Sequence, residues 1–386
     1  MFKHLTRTQK LKLRTVGHIT FFWAIVALLF ALHNHLFLIS TLQIGIDNYH
    51  LGVNVLVTIL IVPLAGFLGG GTIVYFFKEK IRKFPLWVAI ILDTIIIVLV
   101  IIVVSIPATL IYNSIIHGRP PWDLLILVHA LDFMFGYGLL YTLFFWSMVA
   151  ASTMIVLQVN EKYGQGVFWK LLKGKYYRPK VEMRIFMFLD IRGSTTIAEK
   201  LGHVRWFDLL NQFFNDITEP ILDTKGEIYQ YVGDEIIIHW SVENGLDEVN
   251  CVRCFFKIKE KMEALSDKYF EEYGVAPQFK AAIHCGDVTI GEIGSIKKDI
   301  VFTGDVLNTT SRIQDQCNVI RVELLLSEEV VNRIGSQELF VFNPVGVIDL
   351  RGKEVPVSLY SVLTQDQSIQ LKEKNYSKVR KVNEIA

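Results

Sequence analysis

Arg184–Glu199 reads RIFMFLDIRGSTTIAE. Its first half is a nearly continuous apolar run of strand length, as expected for a strand buried on both faces. Asp190 stands at the end of that run, and a small, flexible Arg-Gly-Ser-Thr turn follows it. Beyond the turn, Thr195–Leu222 has helical periodicity, and Thr196 and Glu199 have capping-box spacing, which predicts a helix start there. Backbone N–H groups at a helix start form a natural phosphate site.

Downstream the alternation continues. GEIYQYV and DEIIIHW read as two strands around Gly233-Asp234, and about Glu248–Tyr273 as one long amphipathic helix. QFKAAIHCGDVTIGEIG and DIVFTGDVL read as strands, NTTSRIQDQC as a short helix, and FVFNPVGVIDLRGKEVPVSLYSVL as a closing hairpin. This pattern predicts an α+β sandwich with a mainly antiparallel sheet and helices packed on it. If the strands carrying Asp190 and Asp234 are neighbours, the two carboxylates converge at one end of the sheet. Such a pair, helped by a main-chain carbonyl, suits Mg²⁺, a hard cation that prefers oxygen. Two such ions can activate a hydroxyl and stabilise in-line displacement at phosphorus. A single Asp after a strand is usually a turn or a cap; here two carboxylates and the phosphate turn coincide.

Upstream the chain changes character. It has 386 residues, 52% of them hydrophobic, and the first 160 or so hold the long apolar runs. Four segments, approximately Gly17–Ile39, Val53–Phe77, Leu86–Tyr112 and Leu124–Leu157, have the length to cross a bilayer, which takes about 20 apolar residues. Lys and Arg cluster before the first, between the second and third, and after the fourth, while the other side carries only Arg119. By the positive-inside rule both ends are expected to face the cytoplasm, and a cell (inner) membrane is the expected location. The N-terminal part is thus expected to be an all-α four-helix transmembrane bundle.

Polar residues within the spans are costly: His33, His35, Asp93, His129 and Asp132. Interhelical hydrogen bonding is one reading. An unidentified bundle ligand near His129 and Asp132, such as a metal, haem, quinone or proton, is the other. EKYGQGVFWKLLKGKYYRPK joins the halves, and its basic and aromatic content suits a segment lying on anionic lipid. The expected organisation is 1–158 transmembrane, 159–180 connector, 181–364 catalytic, and 365–386 a disordered tail.

The formal net charge of +1 gives no case for nucleic-acid binding. The four cysteines form no disulfide or zinc framework; Cys251 and Cys254 make a lone CxxC inside an amphipathic helix.

Five blocks, FLDIRGSTTIAE, GEIYQYVGDEIII, AAIHCGDVTIGEIG, DIVFTGDVLNTTSRIQ and LRGKEVPVSLYSV, resemble in order and spacing the class III adenylate and guanylate cyclases of the bacterial membrane-bound, homodimeric type. The resemblance covers about Val181–Leu363. It implies the ferredoxin-like class III fold and conversion of ATP into 3′,5′-cyclic AMP and pyrophosphate, with two Mg²⁺ (or Mn²⁺) per site. Asp190 and Asp234 would bind the metals with the Ile191 carbonyl assisting. Gly193, Ser194 and Thr195 would hold the triphosphate, and Arg351 or Lys353 would contact it. Asn308 and Arg312 would orient the ribose and stabilise the transition state from the opposite protomer of a head-to-tail homodimer.

Two positions depart from the family pattern. A base-reading Lys is replaced by Gln230, and an Asp or Thr by Val301. Gln230 can still read a purine edge; Val301 cannot. Thr303, Lys297 and Lys298 are nearby candidates for compensation. GTP therefore stands as the alternative substrate, and a non-catalytic cyclase-like receptor or scaffold as the alternative role. A diguanylate cyclase is disfavoured by Val232 in the turn and by VLNTTSR.

Overall fold

The computed structural model describes residues 7–42, 50–77, 86–163, 174, 178–296, 298–348 and 356–365. The chain divides into two compact units, Met1–Phe168 and Trp169–Ala386.

The first unit holds α1 (Arg7–Leu42), α2 (Leu51–Gly71), α3 (Leu86–His117), α4 (Leu124–Phe135) and α5 (Tyr137–Tyr163). A π-helical turn, Thr72–Phe77, continues α2. Four helical stretches are long and apolar enough to cross a membrane: Gln9–Phe37, Leu51–Tyr75, Thr94–His117 and Tyr137–Gln158. Phe21, Leu29, Leu60, Val103 and Phe144 are all more than half exposed, an apolar surface of the kind lipid covers. Within the unit, α1 meets α2 at glycines. A Cβ on Gly66 would lie 2.8 Å from Thr20 Cα, and one on Gly69 the same distance from the Trp23 ring. The Trp23 indole donates to Thr153 Oγ1 of α5 at 3.0 Å.

The segment expected to be one fourth span is two helices. Gly136 has extended ψ and separates α4 from α5, and a Cβ there would meet the Asp132 carbonyl oxygen at 2.5 Å. The apolar run continues across the break, so hydropathy does not register it. At 12 residues, α4 reaches about 18 Å, too short to span alone. His129 of α4 stacks on His117 of α3, centroids 5.1 Å apart, and its Nδ1 lies 2.8 Å from the Leu125 carbonyl oxygen; Asp132 is exposed. His33 stacks on Phe37 at 6.4 Å. The Asp93 side chain lies outside the described residues.

The second unit is built on β1 (Lys180–Ile191). Then come α6 (Ser194–Leu201), α7 (His203–Asp223), β2 (Glu227–Val232), β3 (Glu235–Ser241), α8 (Val242–Leu246), α9 (Asn250–Ala264) and α10 (Ser266–Tyr273). β4 (Phe279–Ile293), β5 (Asp299–Thr303), α11 (Asp305–Ile320), β6 (Leu324–Ser327), α12 (Glu328–Ile334), β7 (Phe340–Ile348) and β8 (Val357–Thr364) complete it. The sheet runs β2-β3-β1-β4-β6-β8-β7, with β5 paired to the end of β4. Among the described residues only β4–β6 is parallel.

β1 is central, which explains its continuous apolar run. Ile185, Met187, Leu189 and Ile191 face a core shared with Leu209, Phe213, Ile217 and Ile221 of α7 and Phe255 and Ile258 of α9. Phe186 and Phe188 face the opposite cluster with Ile237, Val288, Phe302 and Val306. The α7 positions recur every four residues, so one stripe is buried. Phe213 is completely buried; cutting it to Ala would cost about 3–5 kcal/mol.

Two predicted helices are interrupted. Gly202, at φ +76, separates α6 from α7, and Leu265 ends α9 before α10. The first helix begins at Ser194 with left-handed Gly193 as its cap and no side-chain cap. The Thr196–Glu199 capping box therefore does not form the start: the glycine has already turned the chain, and both residues lie inside the helix. The tail after residue 365 and most of the connector lie outside the described residues.

Candidate functional site

β1 carries Asp190 to one end of the sheet, where it pairs with Glu235 of β3 and Lys280 of β4. Asp234 sits one residue before Glu235, in a turn that Gly233 enters at φ +65, a conformation glycine adopts without strain. Adjacent strands thus bring Asp190 and Asp234 together, and their carboxyl groups lie within hydrogen-bonding contact. Lys280 Nζ is 3.4 Å from Asp190 Oδ2, and Lys280 is only 7% exposed.

Burial pushes the Asp190 carboxyl up to about 6; Asp234 adds to the rise and Lys280 opposes it. Burial also pushes Glu235 up to about 7, with the Asp190 charge adding. Three carboxyl groups face one lysine, and a dication would offset the excess negative charge. Among the described residues no group of three or more His, Cys, Asp or Glu side chains could hold a metal. Mg²⁺ needs no such cage, because it binds through one or two carboxylates plus substrate phosphates and water. Asp190, Asp234 and the adjacent Ile191 carbonyl fit that demand.

Immediately after Ile191 the chain turns through Gly193 into α6, so Gly193, Ser194 and Thr195 lie at a helix start a few residues from Asp190. Arg192 is held away from this turn. Its guanidinium donates to the Val322 carbonyl at 2.6 Å, and its backbone N–H donates to the Gln278 carbonyl at 2.7 Å.

Asn308 and Arg312 stand four residues apart on α11, hence on one face. Thr309 and Thr310 between them and Ile313 just after are buried, whereas Asn308 is exposed. Among the described residues neither Asn308 nor Arg312 makes a side-chain hydrogen bond or ion pair. Gly304 starts this helix against β4, where a Cβ would lie 2.7 Å from the Asp287 carbonyl oxygen.

Gln230 is exposed on β2, Val301 half-buried on β5, and Thr303 exposed. Lys298 makes a 3.7 Å ion pair with Glu292. Lys297, Arg351 and Lys353 lie outside the described residues. The four cysteines are buried, and burial raises Cys251 and Cys254 to about 12.

Sequence reasoning missed Lys280 and Glu235. The available signal was a lysine inside FKAAIHC, an otherwise buried-looking strand, and a second acid directly after Asp234.

Residues 177–364 match the family model described as Adenylate and Guanylate cyclase catalytic domain. The C-terminal unit belongs to the class III adenylate and guanylate cyclase family. "Adenylate cyclase 2" of Rhizobium meliloti (strain 1021) is 33% identical over 209 residues, covering 54% of this chain and 58% of that protein. "Adenylate cyclase" of Anabaena cylindrica is 26% identical over 186 residues, covering 46% and 36%. The chain thus spans less than two thirds of these relatives' length. Among solved structures, the adenylyl cyclase CyaB from P. aeruginosa is similar at a TM-score of 0.44 and 23% identity, over 49% of this chain and 97% of that one.

Proposed function

We propose that the chain is a membrane-anchored nucleotidyl cyclase that converts ATP into 3′,5′-cyclic AMP and pyrophosphate at a homodimer interface. The observation that carries this reading is the Asp190–Asp234 pair at the strand ends, with Lys280 beside it and the Gly193 turn adjacent. The cyclase family of the domain and the name of the Rhizobium relative support it.

In this reading the 3′-hydroxyl oxygen of the ribose attacks the α-phosphorus, the bond from that phosphorus to the bridging oxygen breaks, and pyrophosphate leaves. The hydroxyl proton is released. Two Mg²⁺ or Mn²⁺ ions, when bound, would supply positive charge to the attacking and leaving oxygens. Asp190 and Asp234 would hold them, with the Ile191 carbonyl assisting. The main-chain N–H groups of Gly193, Ser194 and Thr195 receive the triphosphate, and Arg351 or Lys353 binds its far end. Asn308 orients the ribose, and Arg312 meets the charge developing at phosphorus. Among the described residues both side chains lack polar partners, as suits groups delivered to the site of a partner subunit.

Both termini and the cyclase domain face the cytoplasm in this proposal, from the Lys and Arg asymmetry of the intervening segments. GTP is retained as a second substrate reading because Gln230 both donates and accepts, and Val301 imposes no adenine-specific contact. The test is an assay of the purified full chain in lipid nanodiscs with Mn²⁺ and ATP or GTP, identifying the product by mass spectrometry. Cyclic AMP from ATP supports the proposal, cyclic GMP from GTP supports the second reading, and no cyclic product from either sinks both.

A further inference from the structure

Tyr229 precedes Gln230 on β2, and Phe302 follows Val301 on β5. In the order of the sheet β3, β1 and β4 stand between β2 and β5. Even so, the Phe302 backbone N–H donates to the Tyr229 phenol oxygen at 3.2 Å. Their rings meet edge to face, centroids 4.8 Å apart. Phe302 also meets Phe186 of β1 at 5.7 Å and His239 of β3 at 4.7 Å. β5 therefore folds back across this face of the sheet, and Tyr229 fastens it at the far side.

Tyr229 is also where β2 shifts register. Ile228 pairs with Ile238, and Gln230 pairs with Ile237. One extra residue in a strand turns every later side chain to the opposite face. In unbroken register Gln230 would oppose Ile236, which belongs to the helix-covered core. With the bulge it opposes Ile237, which belongs to the Phe302 cluster. One residue thus turns Gln230 toward the face that β5 crosses and also ties β5 down.

We infer that Tyr229 is a positioning residue for purine selection, its hydroxyl fixing the separation between Gln230 and the Val301 segment. This rests on the cyclase reading above. Val301 offers no side-chain hydrogen bond, so recognition from β5 depends on its main chain and Thr303. Strand placement, more than side-chain identity, then decides how a base is read there.

The test compares full-length wild type, Tyr229→Phe and Tyr231→Phe in nanodiscs, with ATP and GTP assayed separately. Tyr231 packs on Phe214 on the helix side, at 4.7 Å, and serves as the control. In Tyr229→Phe the KM for the preferred nucleotide should rise, and the ratio of kcat/KM between the two nucleotides should fall, by roughly three- to tenfold, the range of one neutral hydrogen bond; kcat should stay within about twofold. Tyr231→Phe should keep the wild-type ratio. An active wild type with KM and ratio unchanged in Tyr229→Phe overturns this inference alone. So does a loss confined to kcat, or an equal change of ratio in Tyr231→Phe, either of which marks a merely structural effect. A wild type that makes no cyclic nucleotide overturns the cyclase reading and this inference with it.

Discussion

Lys280 on β4 reaches across to Asp190 on β1, Nζ to Oδ2 3.4 Å, from a position almost closed to solvent. Its charge pulls the Asp190 carboxyl down against burial and Asp234, which push it up. Lys280→Met should therefore raise the Asp190 value further. The acid limb of the pH–activity profile should move to higher pH, and activity at pH 6 should fall more than at pH 8. A profile that drops uniformly, with no displacement of the limb, would contradict this role.

The same carboxyl groups give a stability prediction for metal-free protein. Asp190 titrates near 6 and Glu235 near 7 when folded, against about 3.9 and 4.3 for unperturbed groups. Each binds its proton more tightly in the folded state. That stabilisation is complete below the unfolded values and is lost as pH rises through about 6 and 7. Chelator-treated wild type should gain more in Tm between pH 8 and pH 5 than Asp190→Asn does. Adding Mn²⁺ at pH 8 should raise Tm in the wild type and not in the variant. Equal pH dependence in the two proteins would count against the assignment.

Asp190→Ala and Asp234→Ala should each remove cyclase activity while leaving the unit folded, since each deletes a ligand of the proposed metal pair. Circular dichroism checks the fold and product analysis the activity. Substantial turnover in either variant would refute the pair's role.

Much of this site was legible in the sequence, for a reason that lies in particular residues. Asp190 ends an apolar run and Asp234 follows a glycine in a turn, so both are marked locally. Lys280 and Glu235 join them only through strand register, Asp190↔Lys280 and Asp190↔Glu235, which no local pattern carries. The breaks at Gly136 and Gly202 escaped for a related reason: apolar periodicity runs through them, while the main chain does not. The Thr196–Glu199 spacing misled because Gly193 had already begun the helix.

If each site joins Asp190 and Asp234 of one chain to Asn308 and Arg312 of the other, two dead variants should rescue each other. Asp234→Ala and Arg312→Ala homodimers should both be inactive. In a mixed dimer both defects fall in one site and the other is intact. Random mixing makes about half the dimers mixed, so roughly a quarter of wild-type activity should return in a twofold-symmetric assembly. Mixed dimers that form yet show only the background of the single variants would mean the sites are not shared this way.

Reporter fusions placed at Asp47 and after Tyr163 should report opposite sides of the membrane. Finding both on one side would sink the proposed orientation.

All four cysteines are buried, and those of α9 have thiols raised to about 12. Thiolate is the form that alkylates, so the native protein should be nearly inert to maleimides. The wild-type chain can then serve as its own background for site-directed spin or fluorophore labelling. A single cysteine placed on an exposed position such as Val204 or Phe270 would report distances between the two copies of an assembly without first stripping out the natural ones.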